Sequence, residues 1–183
     1  MDKILEILEN KCKPYIEALK RCERNHLLVR GSNDIIKNIK KYNHNLEYRN
    51  PRNMPINLHN CLNSKFENVF KWKIRNGVFC YGYDLTKDIK YNLGYGPNYL
   101  IFPIGEFEFV YSPNIFDLYG YFSDSNSLFK DKINDLIYVA DDLNKALKTV
   151  EEGNDFSNEI SLKTTEYFLV NFEFKDKIIE MIW

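Results

Sequence analysis

Leu27-Leu28-Val29-Arg30-Gly31-Ser32 is a short apolar run cut off by an arginine and a glycine. Four to six apolar residues between polar flanks read as a buried strand, and such a strand delivers the residues after it to the rim of a sheet. Here it delivers a guanidinium, whose planar fork matches two oxygens of a phosphate or carboxylate. The glycine beside it lets backbone amides approach a ligand without a side chain between. Two readings of the six residues stand at this point: an anion site suited to a nucleotide, or a surface ion pair followed by a plain turn.

Working outward, a chain of 183 residues is sized for one domain with its own core. Its 13 Tyr and 13 Phe favour strands and ring-lined clefts over a helical bundle. No stretch approaches the length of a membrane span, and the N-terminus mixes charge with apolar residues unlike a signal peptide, so a soluble, unexported chain is expected. Cys12, Cys22, Cys61 and Cys80 have no metal-ligand spacing, and His26, His44 and His59 are scattered, so the expectation is reduced thiols and no metal. The net charge of −1 conceals a division: residues 1–76 hold 16 basic and 8 acidic side chains, the rest 9 and 18. A basic front half would draw a phosphate-bearing ligand or nucleic acid if its charges cluster in space; solvated helix faces are the other reading.

In order along the chain, residues 2–22 carry helical spacing that Pro14 interrupts, predicting two short helices or one kinked helix. Strand 26–30 comes next, then a helix over 34–42 with Ile35, Ile36 and Ile39 on one face. The loop 43–55 places Arg49 and Arg52 around Pro51, suited to phosphate binding or acidic-partner docking, or to bonding loop carbonyls. A helix runs from Pro55 to about residue 71 with Leu58, Leu62 and Phe66 inward. Residues 75–82 read as a turn into a glycine-bounded strand, 84–91 as a helix, and 99–104 with 107–111 as a hairpin around Gly105-Glu106. After a short helix over 114–118 and an exposed insertion over 123–134, a strand over 136–140 leads to a helix capped by Asp141 and stopped by Gly153. Strands over 158–162 and 167–172 close the pattern. A carboxylate, Glu159, opens the first of these; its readings are a catalytic group or a charge that blunts a sheet edge.

Taken together, LLVRGS (27–32), RNPRNMP (49–55), the helix carrying His59, RNGVFCYG (75–82), YLIFPIGEFEFVYSPNIFDL (99–118) and NEISLKTTEYFLV (158–170) resemble, in this order, the mono-ADP-ribosyltransferase family, and within it phage-associated and bacterial ADP-ribosyltransferase-like proteins. The resemblance implies an α+β fold with a split pair of antiparallel sheets gripping NAD, as one domain over 1–183 with a helical segment over 1–25 ahead of the matching stretches. It implies that Arg30 takes the NAD phosphate or the nicotinamide-side ribose, that Gly31 offers its backbone to the nicotinamide amide, and that Glu159 is the catalytic carboxylate. Tyr91, Tyr95 and Phe79 are candidates to stack on nicotinamide, with core packing the other reading of Phe79. The middle strand, where the family often places a small hydroxyl, here reads Cys80-Tyr81-Gly82, and the resemblance puts Cys80 and Tyr81 at the cofactor with Arg49, Arg52 and Tyr95; the position two before Glu159, acidic in arginine-modifying members, is Ser157. The expected activity is therefore transfer of ADP-ribose from NAD, as co-substrate, to a nucleic-acid or protein acceptor other than arginine, in the cytoplasm, or the host cytoplasm if phage-encoded. An inhibitory partner is left open. The alternatives are a catalytically degenerate protein that keeps the fold for NAD binding or partner docking, and a module that stacks RNA bases on its tyrosines.

Overall fold

The computed structural model describes residues 2–52, 54–88, 92–93, 96–123, 133, 135–150 and 154–183 as a mixed α+β fold built on a seven-stranded antiparallel sheet. Strands β1 (His26–Gly31), β2 (Ile39–Asn43), β3 (Val78–Asp84), β4 (Asn98–Pro103), β5 (Glu108–Tyr111), β6 (Ile160–Lys163) and β7 (Glu166–Val170) lie in the order β2-β7-β4-β1-β3-β6-β5. Among the described residues no helix is long and apolar enough to cross a membrane.

The chain begins with α1 (Asp2–Lys11) and α2 (Lys13–Leu19), broken at Cys12. Pro14 sits in the first turn of α2, where its missing N–H costs nothing because no intrahelical partner exists there. Leu8, Cys12, Tyr15, Ile16 and Leu19 bury against the sheet. Tyr15 fixes the docking: its hydroxyl accepts from the Leu28 amide at 3.2 Å, and its ring meets Phe102 edge-on at 5.5 Å. At the other end of the chain α6 (Lys175–Ile182) returns Ile178, Ile179 and Ile182 to the same core.

β3 is the hinge of the sheet. Its second half pairs with β1, His26 to Val29 facing Asp84 to Tyr81, whereas its first half, Val78 to Cys80, pairs with β6. Beyond Val29, β1 follows β4 instead, with Arg30 opposite Tyr99 and Gly31 opposite Asn98. The two halves expected as separate sheets are thus joined in one strand order and part where Arg30 leaves β3. A second apolar cluster lies under α3 (Ile56–Phe70), where Leu58, Leu62 and Phe66 meet Trp72, Ile74, Val110 and Ile115. Pro55 precedes this helix as its N-cap residue.

Several local expectations are corrected. Residues 34–42 form no helix: Ile35 is 87% exposed, and Ile39–Asn43 pair with β7 as an edge strand on which Lys40 and Lys41 are both exposed. The helix expected over 84–91 is absent from its described part, because Asp84 ends β3 and accepts the Thr86 amide and hydroxyl in a turn; residues 89–91 lie outside the described residues. β4 and β5 are strands but not a hairpin. β4 inserts between β7 and β1 and β5 pairs with β6, while the Gly105 amide donates to the Lys11 carbonyl and carries the chain away. The helix placed at 114–118 begins only at α4 (Leu118–Ser123), because Asp117 accepts the Tyr119 amide. The strand over 136–140 reduces to one bridge, Val139 with Tyr111. α5 (Leu143–Lys148) is capped by Asp142, which accepts the Asn144 and Lys145 amides, and not by Asp141. The insertion expected at 123–134 and the stop at Gly153 fall mostly outside the described residues, although Ile133 is buried in the second cluster.

Candidate active site

A cavity of about 490 Å³ opens where the sheet parts. Pleating decides what reaches it: along β3, Val78 and Cys80 point into the first core while Phe79 and Tyr81 line the cavity. Cys80, expected at the cofactor, is therefore corrected to a core residue, fully buried, with its thiol donating to the Ile160 carbonyl at 3.5 Å and pushed up by burial. Tyr81 is on the cavity, its ring 5.7 Å from Phe116 and 6.4 Å from Phe156, and burial raises its hydroxyl well above the ordinary range.

Arg30, Gly31, Arg49, Arg52 and Glu159 also line this cavity, so the structure brings these five together with Tyr81 and Phe79. Tyr95, like Tyr91, lies outside the described residues. Arg30 spans the parting of the sheet, its Nη1 donating to the Phe79 carbonyl at 2.5 Å. Gly31 is small for a neighbour's sake: a Cβ there would collide with the Leu93 carbonyl, which packs against the end of β1. Arg49 donates to the Gly77 carbonyl at 2.9 Å and lies 4.0 Å above the Phe79 ring. Phe79, half-buried, is a wall of the cavity.

Glu159 stands at the entry to β6, and the residues before it are tied down one by one. Ser157 accepts the Gly82 amide and donates to the Asn158 carbonyl, the Asn158 side chain donates to the Ser112 carbonyl, and the Glu159 amide donates to the Phe116 carbonyl at 2.7 Å. Ser157, fully buried, does not line the cavity. The Glu159 side chain, 8% exposed, meets the equally buried Arg75, whose Nη1 donates to Glu159 Oε1 at 2.5 Å. Burial pushes the Glu159 carboxyl above its ordinary value and Asp117 adds to this, while Arg75 pulls it down.

Arg75 is the site residue that sequence reasoning missed. It lies in a 3-10 turn (Ile74–Asn76), at the head of residues 75–82, which the sequence reads as a turn into a strand; its one signal is its position between Ile74 and the strand that Val78 opens. The turn is held from below. Asn63 accepts the Arg75 amide at 2.9 Å and donates to Asn76 Oδ1 at 3.0 Å, His59 Nε2 lies 3.1 Å from the same oxygen, and Asn76 donates to the Leu46 carbonyl. The Arg75 guanidinium also lies 4.2 Å from the Phe79 ring, so Phe79 contacts two guanidiniums.

Asp117 and Asp155, with Phe116 and Phe156, also line the cavity. A ligand here meets guanidinium groups suited to phosphate oxygens, aromatic faces, and one buried carboxylate able to stabilise developing positive charge in a poorly solvated setting. No family model, curated protein or solved structure matches the chain.

Proposed function

We propose that the protein cleaves NAD at the nicotinamide–ribose bond and transfers ADP-ribose to a macromolecular acceptor, a nucleic acid or a protein, on an ADP-ribosyltransferase-like fold. The observation that carries this reading is the meeting of Arg30 and Glu159, far apart in sequence, on one cavity of a size usual for small-molecule sites. The residues present fit the substrate: Arg30, Arg49 and Arg52 offer cations to the diphosphate, and Tyr81, Phe116 and Phe156 offer ring faces to its planar groups.

In the reaction the bond from ribose C1 to the nicotinamide nitrogen breaks, and its electron pair leaves with nicotinamide. Positive charge grows on the ribose as in other glycosyl transfers, and the Glu159 carboxylate stabilises it. The acceptor nucleophile then bonds to C1 and gives up its proton to the surrounding water. Ser157, sealed behind the site, takes no part in recognising the acceptor.

The test is nicotinamide release from NAD by the purified protein, with Glu159→Gln beside it and cell lysate as a mixed source of acceptors. Release should rise with lysate and fall by on the order of 100- to 1,000-fold in the variant. Equal rates in the two proteins would remove Glu159 from the chemistry. The rival reading, a protein that keeps this fold for docking, draws on the engagement of Glu159 by Arg75; it calls for no release in either protein.

A further inference from the structure

We infer that Arg75 is the positioning residue of the transfer proposed above, holding the Glu159 carboxylate ionised and aimed into the cavity by one of its two oxygens. The inference rests on that proposed reaction for its chemistry, and on the geometry of the pair for its structure.

A carboxylate serves a developing cation only while it is charged and only from a fixed place. Burial works against the first: with 8% of its side chain exposed, Glu159 loses the water that would stabilise its charge. The groups around it are Arg75 in the 3-10 turn, Arg49 from the loop after β2, Asp117 ahead of α4, Tyr81 and Cys80 on β3, and Tyr138 from the segment before α5. Asp117 opposes the charge on Glu159, and Arg49 supports it less than Arg75, the one cation in direct contact among the described residues.

Arg75 is itself held as a positioning group should be. Asn63, Asn76 and His59 fix its backbone turn, and Phe79 packs against its guanidinium. It engages Oε1 alone, which leaves Oε2 without a protein donor among the described residues and available to a ligand hydroxyl. The Arg75 Nε, also buried, has no acceptor among the described residues, so the fork meets the carboxylate through one arm and not two. A purely structural ion pair gains by satisfying both oxygens and both arms; this one is left half-satisfied at the wall of a cavity.

The experiment follows the Glu159 carboxyl by carbon-13 NMR titration and nicotinamide release against pH, in the unaltered protein and in Arg75→Gln and Arg75→Lys, with Glu159→Gln to assign the signal. Arg75→Gln should raise the Glu159 midpoint, move the rising limb of the rate profile to higher pH by the same amount, and lower kcat by on the order of 100-fold with KM for NAD little changed. Arg75→Lys, which keeps the charge and loses the plane, should fall between, and it carries the test if the glutamine variant does not fold. Turnover with neither midpoint nor limb moved in a folded variant overturns the role of Arg75. A protein that never releases nicotinamide, yet whose Glu159 midpoint moves with Arg75, overturns the reaction and leaves only the coupling of the pair.

Discussion

Two histidines reach Asn76 from different elements, and their protonation ties the site to pH. His44 Nε2 lies 2.6 Å from the Asn76 carbonyl and His59 Nε2 3.1 Å from its side-chain oxygen. Burial holds both below the ordinary value of 6.5, with the guanidiniums of Arg49, Arg30 and Arg75 acting in the same sense. As pH falls through 6.5 the unfolded chain takes up protons that the folded protein resists, so the stability present above 6.5 is lost on acidification. Replacing His59 by Gln keeps a polar partner and removes the titration. Its melting temperature should decline less than that of the unaltered protein between neutral pH and about pH 5; parallel declines would place the titrating group elsewhere. At this scale Arg30 and Glu159 were legible because one closes an apolar run and the other opens one, whereas Arg75 was not, because its partner is contributed from the far end of the chain.

At the scale of elements, backbone packing on β3 yields a sharp contrast between glycines. A Cβ on Gly82 would press into the Leu147 backbone at the end of α5, and a helix backbone cannot step aside as a flexible side chain can. Gly82→Ala should therefore cost about 1–3 kcal/mol in urea unfolding. Gly120, in α4, faces open space, and its change to Ala should be neutral or stabilising by up to about 1 kcal/mol. A Gly82→Ala protein as stable as the original would mean that α5 can shift off the sheet. The same close approach explains the sequence Cys80-Tyr81-Gly82, which supplies no small hydroxyl: the last position is reserved for the packing of α5. Elements with one strong period, such as α3 and β1, were readable from the sequence. The hairpin error at β4 and β5 arose because Gly105-Glu106 is a good local turn, while the partners that decide strand pairing, β7 and β6, are contributed from the far end of the chain. The helix error at 34–42 has a similar source: three isoleucines fit a helical face, but pairing with β7 set the outcome.

At the scale of the whole molecule, the division of charge along the sequence reappears in which residues line the cavity. Among the described lining residues the guanidiniums are Arg30, Arg49, Arg52 and Arg75, all from the basic front, and the carboxylates are Asp117, Asp155 and Glu159, all from the acidic remainder. The two apolar clusters, by contrast, could not be foreseen as separate. They back onto the same strands: on β5, Val110 belongs to the cluster under α3 and Tyr111 to the other, and on β6, Ser161 turns to the Ile74 carbonyl between Ile160 and Leu162 of the first cluster. Neither cluster can be lost without stripping a face from strands that the other needs, so both should unfold in one step. The two tryptophans make this measurable, because Trp72 is buried in the cluster under α3 and Trp183 packs against the other. In Trp72→Phe and in Trp183→Phe the remaining indole reports on one cluster, while far-UV circular dichroism reports on the whole. Within each variant the fluorescence and dichroism midpoints in urea should coincide. An earlier fluorescence transition in one variant would divide the chain into two units, with the cavity lying between them.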